Sequence, residues 1–182
     1  MKRFLTILFV LAFATSVYAG EFGWSLSDSA TDYLANTGTP VAGLVTIYLW
    51  YACTNNALGL ASAEFDVAGT TVPLSFTTAN GFLNAGGATN LLLAVGGCPA
   101  GPVYAGTFLV FDAAGLGFNL CIVQSATPLN CSVNCVDLQI FPNDYIGYTS
   151  DGTVPCTNVD DHLCETIAVE STSWGNVKSL YR

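Results

Sequence analysis

Apolar and polar residues alternate with a period of two along most of this chain. In LVTIYLWYAC (44–53) one side carries Val45, Ile47, Leu49, Tyr51 and Cys53, and the other Leu44, Thr46, Tyr48, Trp50 and Ala52. Successive side chains of a strand point to opposite faces, so this parity predicts a strand with one face turned to a core. In LASAEFDVAG (60–69) the inward set is Ala61, Ala63, Phe65 and Val67, with Ser62, Glu64 and Asp66 outward. In TVPLSFT (71–77), Val72, Leu74 and Phe76 alternate with Pro73, Ser75 and Thr77, and a proline without an N–H predicts an edge strand. Residues 103–111 are apolar on both faces, as in a central strand, 118–123 follow, and 136–141 alternate again. Turn-forming runs such as NNALG, TANG, GGCPAGP and SDGT separate these segments. No stretch between Glu21 and Glu165 carries a capped stripe of period 3.6. The expectation is an all-β fold, an antiparallel β-sandwich of eight or nine short strands, with Leu49 and Phe65 buried on facing sheets.

The N-terminus departs from this pattern. Lys2 and Arg3 precede an apolar run from Phe4 to Ala14, and the small residues Val17 and Ala19 follow at the spacing a signal peptidase reads. This predicts a secretory signal peptide at 1–19, too short and wrongly flanked for a membrane span. A single domain is then expected at 20–165, with a C-terminal tail at 166–182. The exported part would contain no transmembrane segment. Thirteen acids against four bases give a formal charge of −9, and no Lys or Arg lies between Phe4 and Val177. Such a body lacks the cations needed to bind nucleic acid or anionic lipid.

All seven cysteines follow the leader, and export makes disulfides the expected state. Cys53 shares parity with Ile47 and Leu49, which predicts a small core residue left out of any bridge. Cys156 and Cys164 are expected to pair, and Cys98, Cys121, Cys131 and Cys135 to pair among themselves in no favoured order.

Catalytic chemistry finds few residues to work with. The lone histidine, His162, stands in VDDHLCE, and no nucleophile elbow or phosphate loop is present. Glu64 and Asp66 stand two residues apart on one strand face, a spacing of about 7 Å that could serve a glycosidase. No cofactor is expected. No metal site is expected. Cys156, His162 and Cys164 with Cys131 and Cys135 could assemble a zinc cluster, but the cysteines would oxidise first in an exported chain. Calcium suits better, through Asp144, Asp151, Asp160 and Asp161 with loop carbonyls. Tyr48 and Trp50 share a strand face with Thr46, and if that face is solvated they form a stacking platform for a sugar chain or a protein partner.

The segments VTIYLWYAC, GLASAEFDV and GFLNAGG…LLLAVGGCPAGPVYAGTFLVF, within about residues 40–157, resemble a group of uncharacterised secreted bacterial β-sandwich proteins. The pattern is similar in turn to cohesin domains, which implies an immunoglobulin-like or cohesin-like sandwich. The tail STSWGNVKSLYR is similar to a C-terminal signature of exported proteins, Thr-Trp-Gly-x-Ile-Lys-x-Leu-Tyr-Arg, matched by Trp174, Lys178, Tyr181 and Arg182 among others. It could form a short helix from the N-cap Ser173, with Trp174, Val177 and Tyr181 on one side. The reading that follows is a secreted, non-enzymatic module for binding or for cell-surface and envelope structure. It would work in the periplasm, on the outer surface or outside the cell, with a protein or carbohydrate partner and a tail used for sorting or anchoring. The alternative is a secreted carboxylate-dependent glycosidase.

Overall fold

The computed structural model describes residues 22–52, 59–123, 131–136, 138 and 140–157. Within the compact unit Gly20–Glu165 these form eleven strands, and no helix occurs among the described residues. The strands are β1 (Phe22–Ser27), β2 (Gly43–Tyr51), β3 (Leu60–Gly69), β4 (Ser75–Thr78), β5 (Phe82–Asn84), β6 (Asn90–Val95), β7 (Val103–Asp112), β8 (Asn119–Val123), β9 (Cys131–Asn134), β10 (Ile140–Ile146) and β11 (Tyr148–Thr149). The fold is all-β, as the period-two pattern predicts, with two or three more strands than expected.

One sheet runs β10–β1–β2–β7–β4. The other is built on β3, which pairs β6 and through it β5 along one edge, and takes β9 and β8 at successive positions along its length. Among the described residues every strand-to-strand pairing is antiparallel except β1 with β10. β10 joins the two sheets: Ile140–Pro142 pair with β9, whereas Asn143–Ile146 pair with β1. The strand expected at 136–141 therefore begins later, at Ile140. β11 pairs β8, and its other edge is closed by the loop before β2, where Gly38 N–H donates to the Thr149 carbonyl.

The core lies between the sheets. Ile47, Leu49 and Tyr51 of β2 face Ala63, Phe65 and Val67 of β3, and all six are buried. Leu60 is buried as well, because the register slips between Leu60 and Ser62 and the bulge reverses parity there. Trp24 is fully buried where the sheets meet, its ring 5.0 Å from Phe65 and 5.6 Å from Tyr51. Its Nε1–H donates to Ser132 Oγ and to Asn143 Oδ1, each at 3.2 Å. Asn143 Nδ2 donates in turn to the Glu64 carbonyl, so one buried amide ties β1, β9 and β3 to the point where β10 changes sheets.

The segment at 71–77 is only partly a strand. β4 begins at Ser75, Phe76 packs inward on Phe108, and Val72 and Leu74 are exposed. Among the described residues β4 pairs β7 alone, the expected edge position.

The cysteine scheme needs correction. Cys156 bridges Cys121, not Cys164, and Cys98 bridges Cys135. Cys131 carries a free thiol, buried beside Glu64 on β3, and both burial and that carboxylate push its pKa up. Cys53 and Cys164 lie outside the described residues. Cys131 pairs Glu64 across β9 and β3 and so lies on the same side of that sheet as the carboxylate, opposite to Ser132, and no described cysteine bridges it. Two disulfides in so small a domain belong to an oxidising environment. No helix among the described residues is long and apolar enough to cross a membrane.

Candidate ligand-binding face

The outer face of the first sheet gathers the aromatic residues. Val45, Ile47, Leu49 and Tyr51 point inward on β2, which leaves Leu44, Thr46, Tyr48 and Trp50 on the other side. Tyr48 and Trp50 are half-buried there and do not belong to the core cluster. A third ring joins them. Tyr104 of β7 lies 5.7 Å from Trp50 and 6.0 Å from Tyr48, tilted by 58° and 56° to them.

Tyr104 reaches this face because β7 is irregular. Reading back along the strand, Val110 and Phe108 point inward, and strict parity would send residue 104 inward too. The register shifts between the Leu49 and Trp50 positions, so that Leu49 pairs Gly106 while Trp50 pairs Tyr104. The extra residue, Ala105, is buried, and the bulge re-aims Tyr104 outward beside Trp50. Gly106 is required at this point, since a Cβ there would lie 2.5 Å from both the Phe76 ring and the Thr77 carbonyl.

One side of the cluster is walled. Ser25 and Ser27 of β1 sit opposite Trp50 and Tyr48, and both are fully buried beneath the 28–36 loop. Ser25 Oγ donates to the Tyr33 carbonyl, and Asn36 Nδ2 donates to Ser25 Oγ and the Leu26 carbonyl, each at 2.7 Å. Ser27 Oγ donates to the Asp32 carbonyl. Trp50 Nε1–H donates to the Ser29 carbonyl at 3.3 Å, which fixes the indole against this wall.

The other side is open. Tyr48 pairs Thr107 of β7, and Thr107 pairs Thr77 of β4, so the three side chains form a row on the outer face. At one strand spacing per step, the row spans about 10 Å. Beyond Thr77 a groove of about 620 Å³ opens between β4 and the turn linking β5 to β6.

The remaining residues singled out from the sequence lie elsewhere or outside the described residues. Glu64 and Asp66 are on the outward side of β3, in the other sheet, and Asp66 Oδ1 accepts from Asn90 Nδ2. Asp144 is half-buried on β10, and burial pushes its carboxyl above the ordinary range. Asp151 accepts from the Thr149 hydroxyl at 2.7 Å and from the Thr153 hydroxyl and N–H at 2.6 and 3.0 Å, bonds that hold its pKa down. Among the described residues no three of His, Cys, Asp and Glu gather into a metal-holding group. Asp160, Asp161, His162, Trp174, Lys178, Tyr181 and Arg182 lie outside the described residues.

Two features of the face escape a parity reading of the sequence. Tyr104 is hidden by the bulge. The second is carried by composition and not by parity: between Asp66 and Asp112 there is no charged residue, and that stretch supplies β4, β5, β6 and β7. No protein-family model, curated protein or solved structure matches the chain.

Proposed function

We propose that the protein is a secreted, non-enzymatic β-sandwich module that binds a carbohydrate chain at the cell surface or in the envelope. One observation carries the reading: three half-buried rings, Tyr48, Trp50 and Tyr104, clustered on an outer strand face and excluded from the core. An aromatic ring offers the apolar C–H face of a sugar a surface to cover, and its rim leaves the sugar hydroxyls free to bond to neighbours. Thr46 and Thr107 supply hydroxyls beside the rings. Rings tilted by nearly 60° to one another suit a twisted soluble chain better than a flat crystalline surface. The basic leader and the two disulfides support export. Residues 166–182, which bring Lys178 and Arg182 to an otherwise acidic chain, serve in this reading as the sorting or anchoring tag.

Affinity electrophoresis against a panel of soluble polysaccharides tests the binding. Covering about 80 Å² of apolar surface at Trp50 is worth about 2 kcal/mol, so Trp50→Ala should weaken binding about 30-fold. A panel that contains no retarding polysaccharide, or retardation unchanged in Trp50→Ala and Tyr104→Ala, rejects the reading. Deletion of residues 171–182 tests the tag: the truncated protein should fold normally and appear in the wrong compartment.

A further inference from the structure

We infer that the ligand of this face is an uncharged polysaccharide that crosses the strands from the ring cluster, over Thr107 and Thr77, into the groove between β4 and the β5–β6 turn. The inference rests on the carbohydrate reading above and adds the ligand's charge, its direction and a second contact region.

Direction follows from the walls. The 28–36 loop covers Ser25 and Ser27 on one side of the rings, so a chain stacked on Trp50 and Tyr48 cannot continue over β1. The row Tyr48–Thr107–Thr77 leads the other way, toward the open edge. There the groove is lined by Ser75, Thr77, Asn84, Gly86 and Gly87 with Leu83 at its rim. Asn84 shapes the groove: its Oδ1 accepts from the Gly86 and Leu92 amides and its Nδ2 donates to the Gly87 carbonyl. These bonds fix the shape of the β5–β6 turn. Hydroxyls at Ser75 and Thr77 with an apolar rim are what a sugar ring, polar at its edge and apolar on its face, can use.

Charge follows from composition. No acid or base lies between Asp66 and Asp112, so neither β4 nor the groove presents a charge. No Lys or Arg occurs from Phe4 to Val177, so a uronate or sulfated chain would find no cation among the described residues and would meet an acidic body. A cationic glycan would find no carboxylate in the groove.

Gly87 permits a clean block, because a Cβ added there meets nothing within 4 Å and its φ lies outside the left-handed region. Thr77→Val removes a hydroxyl while keeping a β-branched residue in its strand. Protein from expression of the full chain would be run in affinity gels containing hydroxyethyl cellulose, galactomannan or mixed-linkage glucan. Carboxymethyl cellulose and polygalacturonate serve as charged counterparts. At least one neutral polymer should retard the protein, and the charged ones should not. Gly87→Leu and Thr77→Val should weaken binding to that polymer three- to tenfold, and leave binding of its disaccharide unit, read from Trp50 fluorescence, unchanged. Circular dichroism and melting temperature of both variants confirm folding. If both variants bind the polymer normally while Trp50→Ala does not, the path into the groove is wrong and the ring-cluster reading stands. Preference for a charged polymer overturns the charge assignment. Self-association abolished by Gly87→Leu would identify the groove as a strand-pairing edge and overturn the inference.

Discussion

Asn143 offers the sharpest test of how the two sheets are joined. It is 1% exposed, Oδ1 accepts from Trp24 Nε1 and Ser132 Oγ, and Nδ2 donates to the Glu64 carbonyl. In Asn143→Leu the volume is nearly kept and these bonds are lost. Trp24 still reaches Ser132 Oγ at 3.2 Å, so the indole is not orphaned. The Ser132 hydroxyl loses its acceptor, at a cost of about 1–3 kcal/mol, and the Glu64 carbonyl loses a bond worth about 1 kcal/mol. The total is about 2–4 kcal/mol, and each kcal/mol lowers Tm by roughly 2–4 °C in a chain of this size. Asn143→Asp separates hydrogen bonding from packing. Ionised at neutral pH, the carboxylate would be buried, with no Lys or Arg in the body to pair with. Protonated, its O–H can replace the amide donor toward Glu64. Its folded pKa must therefore lie above the unfolded value, and stability relative to wild type is lost as pH rises from the unfolded value to the folded one. Urea unfolding at pH 4 and pH 7, each against wild type at the same pH, should show the Asp variant close to wild type in acid and strongly destabilised at neutrality. A cost below about 1 kcal/mol for Asn143→Leu, or an Asp variant equally stable relative to wild type at both pH values, would refute the role assigned to this amide.

Three further outcomes are expected. Cys121→Ser removes a bridge spanning 35 residues and should cost about 4 kcal/mol on the loop-closure estimate. Mapping with pepsin, since trypsin has no site between Phe4 and Val177, should recover Cys121–Cys156 and Cys98–Cys135 peptides, with Cys131 alkylated only after unfolding. Burial raises the Asp144 pKa above its ordinary 3.8, so its ionisation opposes folding as pH rises. Asp144→Asn should accordingly melt higher than wild type at pH 7, with the gap closing in acid, and a lower melt at pH 7 would contradict the burial assignment. Gly106→Ala pushes a methyl into Phe76 and the Thr77 backbone and should cost about 1–3 kcal/mol by overpacking, read as a fall in urea midpoint.

Parity carried the sequence reading wherever a strand stayed regular. On β2 the inward set Ile47, Leu49 and Tyr51 is buried, and on β3 so are Ala63, Phe65 and Val67. Both strands lie mid-sheet with one face on the core, the condition under which a one-residue slip would be most costly. Irregular points defeated it. The bulge at Ala105 moved Tyr104 from core parity to the outer face, and that at Ala61 placed Leu60 inside. Val72 and Leu74 alternate correctly yet are exposed, because the chain joins β7 only from Ser75. Ser25 and Ser27 look like solvent-facing polar positions, but a loop with its own hydrogen bonds covers them. Disulfide partners depend on which strand ends meet in three dimensions, and β8 meeting the segment after β11 is a tertiary event no spacing encodes.

The two sides of the sandwich solve their edge problem differently, and the difference bears on function. At β11 the edge is closed by the 36–38 loop and anchored through Cys156 to β8. At β4 and β5 the edges have no further strand among the described residues. Open edges are commonly guarded by charge, yet β4 is Ser-Phe-Thr-Thr and β5 is Phe-Leu-Asn, with none. Their protection is brevity. Four residues and three residues give an incoming strand too few backbone groups for a stable ladder. A lysine or glutamate would guard the edge as well, but it would put a hydrated charge beside a groove that leads straight from the aromatic cluster. Short edges limit self-pairing without charge, and on the proposed reading that leaves the surface to an uncharged ligand.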